Sequence, residues 1–550
     1  MIVKNSKTRF YLLLLVLAAF AWRVQGLSNQ SLWRDEVDAV YFALRNLLET
    51  LGMFKRVADN GALYFLTLRP WFYLVGASAF ALRYPSALAG TLSVPLLWQV
   101  ARQLVRGEEW RVRNRLEATR SGEETEAEVV PNTALQFRTP RPEGTRSFRI
   151  PFLAAVFLAF NPYQLWYGQE GKMYAVITAL TLLATWFWLK GIDRGGWRPW
   201  LAYLVTVSIA MYTHLLMILL IPLHCLWFLL AWPQSWRHWR GYGLALAGLT
   251  LPYLPMVWWQ WDMLTTSEHK TGFSFMPLTE MLHLLLLSHS RGFLPSDDLL
   301  RLTPLFFLGL AGVALGVSEI GETQAEDHTT LAAWRRFALV LTWLVVPILS
   351  IYFVSLRQPI FTERYIIWIA PAIMLLLALG VQAVLSNAGA LARPLAALLV
   401  VYVLGFWLYV GWQQKTMPMK YDLRDAVTYI AERRSPDTLL ILQIPYMEFS
   451  YRYYSSNFTP DLFAKSDAKL GKWAGGLWTN DGSSDDQARS QVDQQMQQIT
   501  AGAKDLWIMR SEVEMWDARH LMDEWLDQHG KVIDQAEFLG AQVKHYQMHE

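Results

Sequence analysis

Two adjacent carboxylates, Asp35 and Glu36, follow an indole in Ser31-Leu32-Trp33-Arg34-Asp35-Glu36, just beyond the first long apolar stretch of the chain. A carboxylate partly removed from water has a raised pKa and can act as a base toward a hydroxyl group. The same pair also suits the start of an amphipathic helix over 36–50, where negative charge meets unpaired backbone N–H groups. The two readings are compatible. Three further polar groupings sit at the edges of apolar stretches. Arg83-Tyr84-Pro85-Ser86 opens one; an arginine gains nothing from the positive end of a helix, so a bound anion accounts for it, and snorkelling is the alternative. Asn161-Pro162-Tyr163 and Trp166-Tyr167-Gly168-Gln169-Glu170-Gly171-Lys172-Met173-Tyr174 form a polar, aromatic connection that suits a charged lipid head group better than a simple turn. Thr362-Glu363-Arg364-Tyr365 stands at another boundary, where a Glu363–Arg364 surface pair is the plainer explanation. His214, alone at an expected turn, reads as structural. Taken together, Arg83, Lys172 and Arg364 are suited to hold phosphate oxygens while Asp35 activates a hydroxyl nucleophile, an arrangement that fits a lipid-linked sugar.

These residues need elements to position them. The chain has 550 residues, 53% hydrophobic and only 17% charged, against about a quarter charged in soluble proteins. This composition argues against a purely cytosolic enzyme. A net charge of +3 does not by itself imply nucleic-acid binding, and none is expected. The single cysteine, Cys225, excludes an intrachain disulfide framework and a CxxC site. The 27 Trp and 23 Tyr favour membrane–water interfaces. Apolar stretches of spanning length run roughly over 9–27, 84–105, 150–168, 172–190, 198–213, 214–233, 241–261, 299–319, 335–356, 365–385 and 394–411. A further stretch, 62–80, is interrupted by Arg69 and Pro70 and is assigned to an outer first loop, 28–83. With that assignment the basic clusters fall inside, the N-terminus is cytoplasmic, and the tail 412–550 is extracytoplasmic. Arg23 and the missing small-residue cleavage site point to an uncleaved first anchor. The fold class expected is thus a polytopic α-helical membrane protein of about 11–13 spans over 1–411, with a small C-terminal α/β domain over 412–550. Residues 106–148 read as a polar cytoplasmic insertion. Within the tail, a helix over 425–432, strands at 439–444 and 506–509, and a helix over 488–500 are expected.

The motifs also resemble a known series. Leu32-Trp33-Arg34-Asp35-Glu36 is similar to the first-loop Asp-Glu motif of the GT-C glycosyltransferases, in particular the family 39, aminoarabinose-transferase-like and protein O-mannosyltransferase-like group. Ala81 through Gly90 resembles the R-x-P-S-A-x-x-G segment of that group. Asn161 through Tyr174 resembles its P…Y-S-Q-E-A-R-x-Y segment, Phe361 through Tyr365 its late R-Y segment, and Tyr421 through Ala426 the start of its soluble C-terminal portion. The resemblance covers 1–454 well and thins afterwards. It implies an outward-facing site in the plasma membrane and a polyprenyl-phosphate sugar donor. The acceptor would be a lipid, glycan or protein of the cell envelope, and transfer would be inverting. In this reading Asp35 is the general base and Glu36 its motif partner, while Arg83, Lys172, Glu170, Gln169, Tyr174, Arg364 and Tyr365 bind substrate or phosphate. No obligatory cofactor is implied, and a divalent metal is left open. Two departures stand out. Asp59-Asn60-Gly61-Ala62-Leu63-Tyr64 replaces the usual H-P-P-L-Y, and Lys172 replaces an arginine, keeping the charge without the bidentate fork. A transporter or flippase of lipid-linked sugars is the competing class; it would favour mid-span charges and internal repeats, and the notable charges here lie at span ends.

Overall fold

The computed structural model describes residues 6–56, 59–106, 146–261, 265, 273–294, 309, 330–387, 392–444, 447–455, 470–480 and 482–549. The expected insertion between Arg106 and Arg146, and the expected span 299–319 apart from Gly309, lie outside these residues. The described chain is mostly helical: α1 (Ser6–Val24), α2 (Arg34–Leu44), α3 (Leu47–Gly52), α4 (Ala62–Val75), α5 (Ala79–Arg106), α6 (Arg146–Phe160), α7 (Pro162–Gly168), α8 (Tyr174–Arg194) and α9 (Trp197–Thr213). Then come α10 (Leu220–Leu230), α11 (Trp239–Trp259), α12 (Leu278–Arg291), α13 (Thr330–Ser355), α14 (Ala370–Asn387) and α15 (Ala392–Thr416). The tail alternates α16 (Leu423–Arg433), β1 (Leu439–Leu442), α17 (Met447–Tyr454), β2 (Trp473–Gly475), α18 (Asp485–Thr500), β3 (Asp505–Arg510), α19 (Val513–Trp516), α20 (Leu521–His529), β4 (Gly530–Phe538) and β5 (Ala541–Met548).

The chain forms two compact units. The first comprises Met1–Arg23, Ser86–Gly168 and Met173–Trp412; the second comprises Val24–Pro85, Gln169–Lys172 and Gln413–Glu550. The first-loop elements α2–α4 and the tail therefore belong to one unit, together with a four-residue piece from the middle of the chain.

Four described helical stretches are long and apolar enough to cross a membrane: Tyr174–Arg194, Phe337–Ser355, Glu363–Gln382 and Pro394–Thr416. Several expected spans are interrupted. The stretch 150–168 is two helices: Asn161 accepts from the Gln164 N–H at 3.1 Å and Pro162 occupies the first helical position, a combination that starts a new helix. The stretch 214–233 begins with a 3-10 turn, Leu215–Leu219, and 365–385 begins with another, Glu363–Ile369. The tryptophans are not confined to interfaces. Trp188, Trp227, Trp343, Trp368 and Trp407 are fully buried in the helical core. Arg23, at the end of α1, is buried too, and its Nη1 and Nη2 donate to the carbonyls of Ala159 (2.8 Å) and Leu158 (3.1 Å). Gly90 and Gly168 make room for it, because a Cβ at either would lie 2.9 or 3.4 Å from Arg23 Nε.

In the second unit, the expected helix over 36–50 breaks at Arg45 and Asn46 into α2 and α3. The buried residues of α2, among them Glu36, Val37, Val40, Ala43 and Leu44, follow a helical stripe, with one carboxylate among the apolar side chains. Arg69 of α4, the charge that interrupts 62–80, donates to the carbonyls of Ala43 (3.1 Å) and Arg45 (2.7 Å) and so satisfies the C-terminus of α2.

The tail is a five-stranded sheet in the order β2-β1-β3-β5-β4, with β1 parallel to β2 and β3, and β5 antiparallel to β3 and β4. Alternating side chains face opposite layers. Leu440, Leu442, Trp507 and Met509 pack with α16 and α17; Leu439, Ile441, Leu506 and Ile508 pack with α18 and α20. Both faces being covered, β1 reads as an unbroken apolar run. The four tail elements expected from the sequence are present within one to three residues of their expected bounds. The hairpin β4–β5, the short strand β2, and the helices α17 and α20 were not expected.

Candidate active site

Six of the expected site residues lie in the second unit: Asp35, Glu36, Arg83, Gln169, Glu170 and Lys172. Asp35 and Glu36 occupy the first turn of α2, whose N-cap, Trp33, supplies no side-chain cap. Their environments diverge sharply. Glu36 has no solvent exposure, and each of its oxygens accepts two hydrogen bonds. Oε1 takes one from Arg83 Nε (2.7 Å) and one from the Gly171 N–H (2.8 Å). Oε2 takes one from Arg83 Nη2 (2.6 Å) and one from Lys420 Nζ (3.1 Å). Burial alone would push the Glu36 carboxyl up. The Arg83 and Lys420 charges, with the hydrogen bonds from Arg83 and Gly171, outweigh it and hold the group down at about 2.

Arg83 is 2% exposed, and all five of its N–H donors are used internally. Besides the two to Glu36, Nη1 donates to the carbonyls of Leu27 (2.7 Å) and Gln30 (2.9 Å), and Nη2 to that of Ser31 (3.0 Å). Arg83 thus ties the segment 27–31 and the start of α2 to one point. The sequence suggested an anion to explain this arginine; the anion is Glu36. Lys420 and the Gly171 N–H complete the cluster, and neither was foreseen. Lys420 immediately precedes the recognisable Tyr421–Ala426 segment, but nothing local signals a partner 384 positions upstream.

Around this cluster, Tyr454 of α17 accepts from the Leu32 N–H (2.6 Å) and lies 3.1 Å from Ser31 Oγ, while Tyr41 stacks on Phe449 at 3.9 Å. Asp35 is partly exposed, and Arg34 beside it donates to Glu512 (2.5 Å), the second residue after β3. Gln169 donates to the Gln25 carbonyl at 2.9 Å. Glu170 is buried, and the Lys172 ammonium stands 5.6 Å from the centroid of the Phe65 ring. Asp38, one turn along α2 from Asp35, was passed over in the sequence although the i, i+3 spacing placed it beside Asp35.

The other three expected residues, Tyr174, Arg364 and Tyr365, lie in the first unit. The Arg364 guanidinium sits 5.8 Å from the Tyr174 ring centroid, and Tyr174 packs 6.4 Å from Tyr365. Tyr167 donates to Glu363 at 3.1 Å, so Glu363 has a partner other than Arg364. His214 is buried against Tyr365, and its Nδ1 accepts from the Leu216 N–H (3.3 Å), a turn-closing role. No group of three His, Cys, Asp or Glu side chains converges to hold a metal ion among the described residues.

The fold is of the GT-C type. Over 98% of its length the chain is similar to ArnT from Cupriavidus metallidurans in the apo state (98% of that chain, 12% identity, TM-score 0.53). It is also similar to the same protein bound to undecaprenyl phosphate (97% and 98%, 12% identity, TM-score 0.56). It is also similar to the archaeal oligosaccharyltransferase AglB from Archaeoglobus fulgidus in complex with an inhibitory peptide and a dolichol-phosphate (96% and 72%, 11% identity, TM-score 0.52). No family model and no curated protein sequence matches the chain.

Proposed function

We propose that the chain is a membrane glycosyltransferase. It transfers one sugar from a polyprenyl-phosphate donor to a hydroxyl of a lipid, glycan or protein acceptor at the outer face of the plasma membrane. The observation that carries this reading is the contrast between adjacent carboxylates: Glu36 is locked by Arg83, Lys420 and Gly171, while Asp35 on the same helical turn stays partly exposed. A fixed anchor beside a partly exposed carboxylate is what a positioned base requires. The isoprenoid phosphates bound in the ArnT and AglB structures support a donor of that class.

In this mechanism Asp35 accepts the proton of the acceptor hydroxyl as its oxygen bonds to the anomeric carbon. The bond from that carbon to the phosphate oxygen breaks, its electron pair leaves with the lipid phosphate, and the configuration inverts. Lys172 is the cation assigned to the phosphate, since every Arg83 donor is already engaged. Gln169 and Glu170 flank it on the same connection. Tyr174, Arg364 and Tyr365 are assigned to substrate binding within the first unit. In this reading the N-terminus is cytoplasmic, and the first loop and the tail lie outside. The test is incubation of the purified protein with a panel of polyprenyl-phosphate sugars, followed by mass spectrometry. Wild type should consume one donor and Asp35→Asn should not; normal transfer by Asp35→Asn refutes the mechanism.

A further inference from the structure

Three carboxyls and two cations meet around the first two turns of α2. Arg34 and Asp35 precede Asp38 on the helix, Lys172 comes from the connection 169–172, and Glu512 from the residues after β3. Arg34 is drawn to Glu512 at 2.5 Å and stands 4.0 Å from Asp35. Asp38 Oδ1 is sealed from solvent and has no hydrogen-bond partner. A buried carboxylate oxygen without a donor is costly, and a cluster with more carboxylates than cations relieves the cost by keeping a proton.

We propose that Asp38 controls binding of the anionic donor: with its carboxyl neutral, the Lys172 charge faces the donor phosphodiester undiminished. Ionised, Asp38 offsets Lys172 and repels the phosphodiester. The inference rests on the proposed function, since it takes Lys172 as the phosphate contact. The electrostatics agree with the geometry. Burial pushes Asp38 up to about 7; Lys172 and Arg34 oppose the shift, and Asp35 and Glu512 add to it. Donor affinity should therefore be highest below neutrality and fall as pH rises through about 7.

Two measurements test this. The first is equilibrium binding of farnesyl methyl phosphate, whose single charge stays constant across the range, to the detergent-solubilised protein from about pH 5.5 to 8.5. Wild type should lose about tenfold in affinity per pH unit once Asp38 is ionised. Asp38→Asn should bind tightly at all pH values, and Asp38→Glu should keep a pH dependence. Binding that ignores pH in wild type, or that keeps its dependence in Asp38→Asn, overturns this inference alone. Absence of binding by wild type at every pH overturns the proposed function and this inference with it. The second measurement needs no ligand. A carboxyl with a raised folded pKa loses stability as pH rises from its unfolded value through about 7, so the stability advantage of Asp38→Asn over wild type should grow over that window and then level off. A constant difference places the proton elsewhere and refutes the inference.

Discussion

Arg34 Nη1 lies 2.5 Å from Glu512 Oε2, joining the first turn of α2 to the residue two positions after β3, 478 positions later in the chain. Glu512 holds this place with a left-handed backbone (φ 50°), a conformation that costs a residue with a Cβ about 1–2 kcal/mol. Parallel strands present their ligands and contacts at their carboxyl ends. Here the carboxyl end of β3 supplies the partner of the residue beside Asp35.

Glu512→Gln should therefore lower turnover by about tenfold, because the change acts on the setting of Asp35. In an Asp35→Glu background, which keeps a displaced carboxyl and a measurable rate, the same substitution should cost little further. Additive losses would mean that Glu512 acts independently of Asp35.

Neighbouring carboxylates should fail in opposite ways. Asp35→Asn should abolish transfer and leave the melting temperature within about 2 °C of wild type, as for a partly exposed side chain. Glu36→Gln takes from buried Arg83 and Lys420 the carboxylate they are hydrogen-bonded to, which costs about 3–5 kcal/mol. Its melting temperature should drop by about 10 °C. Comparable melting temperatures for the two variants would contradict the division of roles.

Gly171 has a steric reason to be glycine. A Cβ there would stand 2.4 Å from Leu82 Cγ, and the same residue gives its N–H to Glu36. Gly171→Ala should destabilise by about 1–3 kcal/mol through overpacking. Adding Leu82→Ala should restore much of the activity lost; no recovery in the double variant would show that the glycine matters for another reason.

Acid should attack the same cluster. The folded-state pKa of Glu36 is held below its ordinary value of 4.5, down at about 2, so its stabilisation is complete above about 4.5 and fades as pH falls toward 2. Unfolding measured between about pH 2 and 6 should show this acid limb in wild type and a shallower one in Glu36→Gln. Identical slopes would exclude Glu36 as its source.

Much of this was legible in the sequence where the signal is local. The Asp35-Glu36 pair, the long apolar stretches and the run 439–444 announce themselves through spacing and composition. What escaped depends on distance or on a broken pattern. Arg83 looked like an anion site, and the anion proved to be a side chain 47 positions away that no periodicity links to it. The span 150–168 hid a helix boundary because one apolar run covers two helices, with only Asn161-Pro162 marking the join. The hairpin β4–β5 was invisible because the register shifts between Val532 and Asp534, leaving Ile533 half-exposed and scrambling the two-residue alternation. Its turn at Leu539-Gly540, with Gly540 at φ 69°, was the one local clue.

The bonds that anchor Glu36 also impose an order in time. Arg83 lies 47 residues downstream of Glu36, Gly171 135 and Lys420 384. At a ribosomal pace of about 5–20 residues per second, Lys420 emerges about 20–80 s after Glu36. Through that interval the carboxylate has Arg83 and then Gly171 but lacks its second cation. The anchor beside Asp35 closes only when the start of the tail arrives, so a partly made chain carries the base without the support that holds it in place.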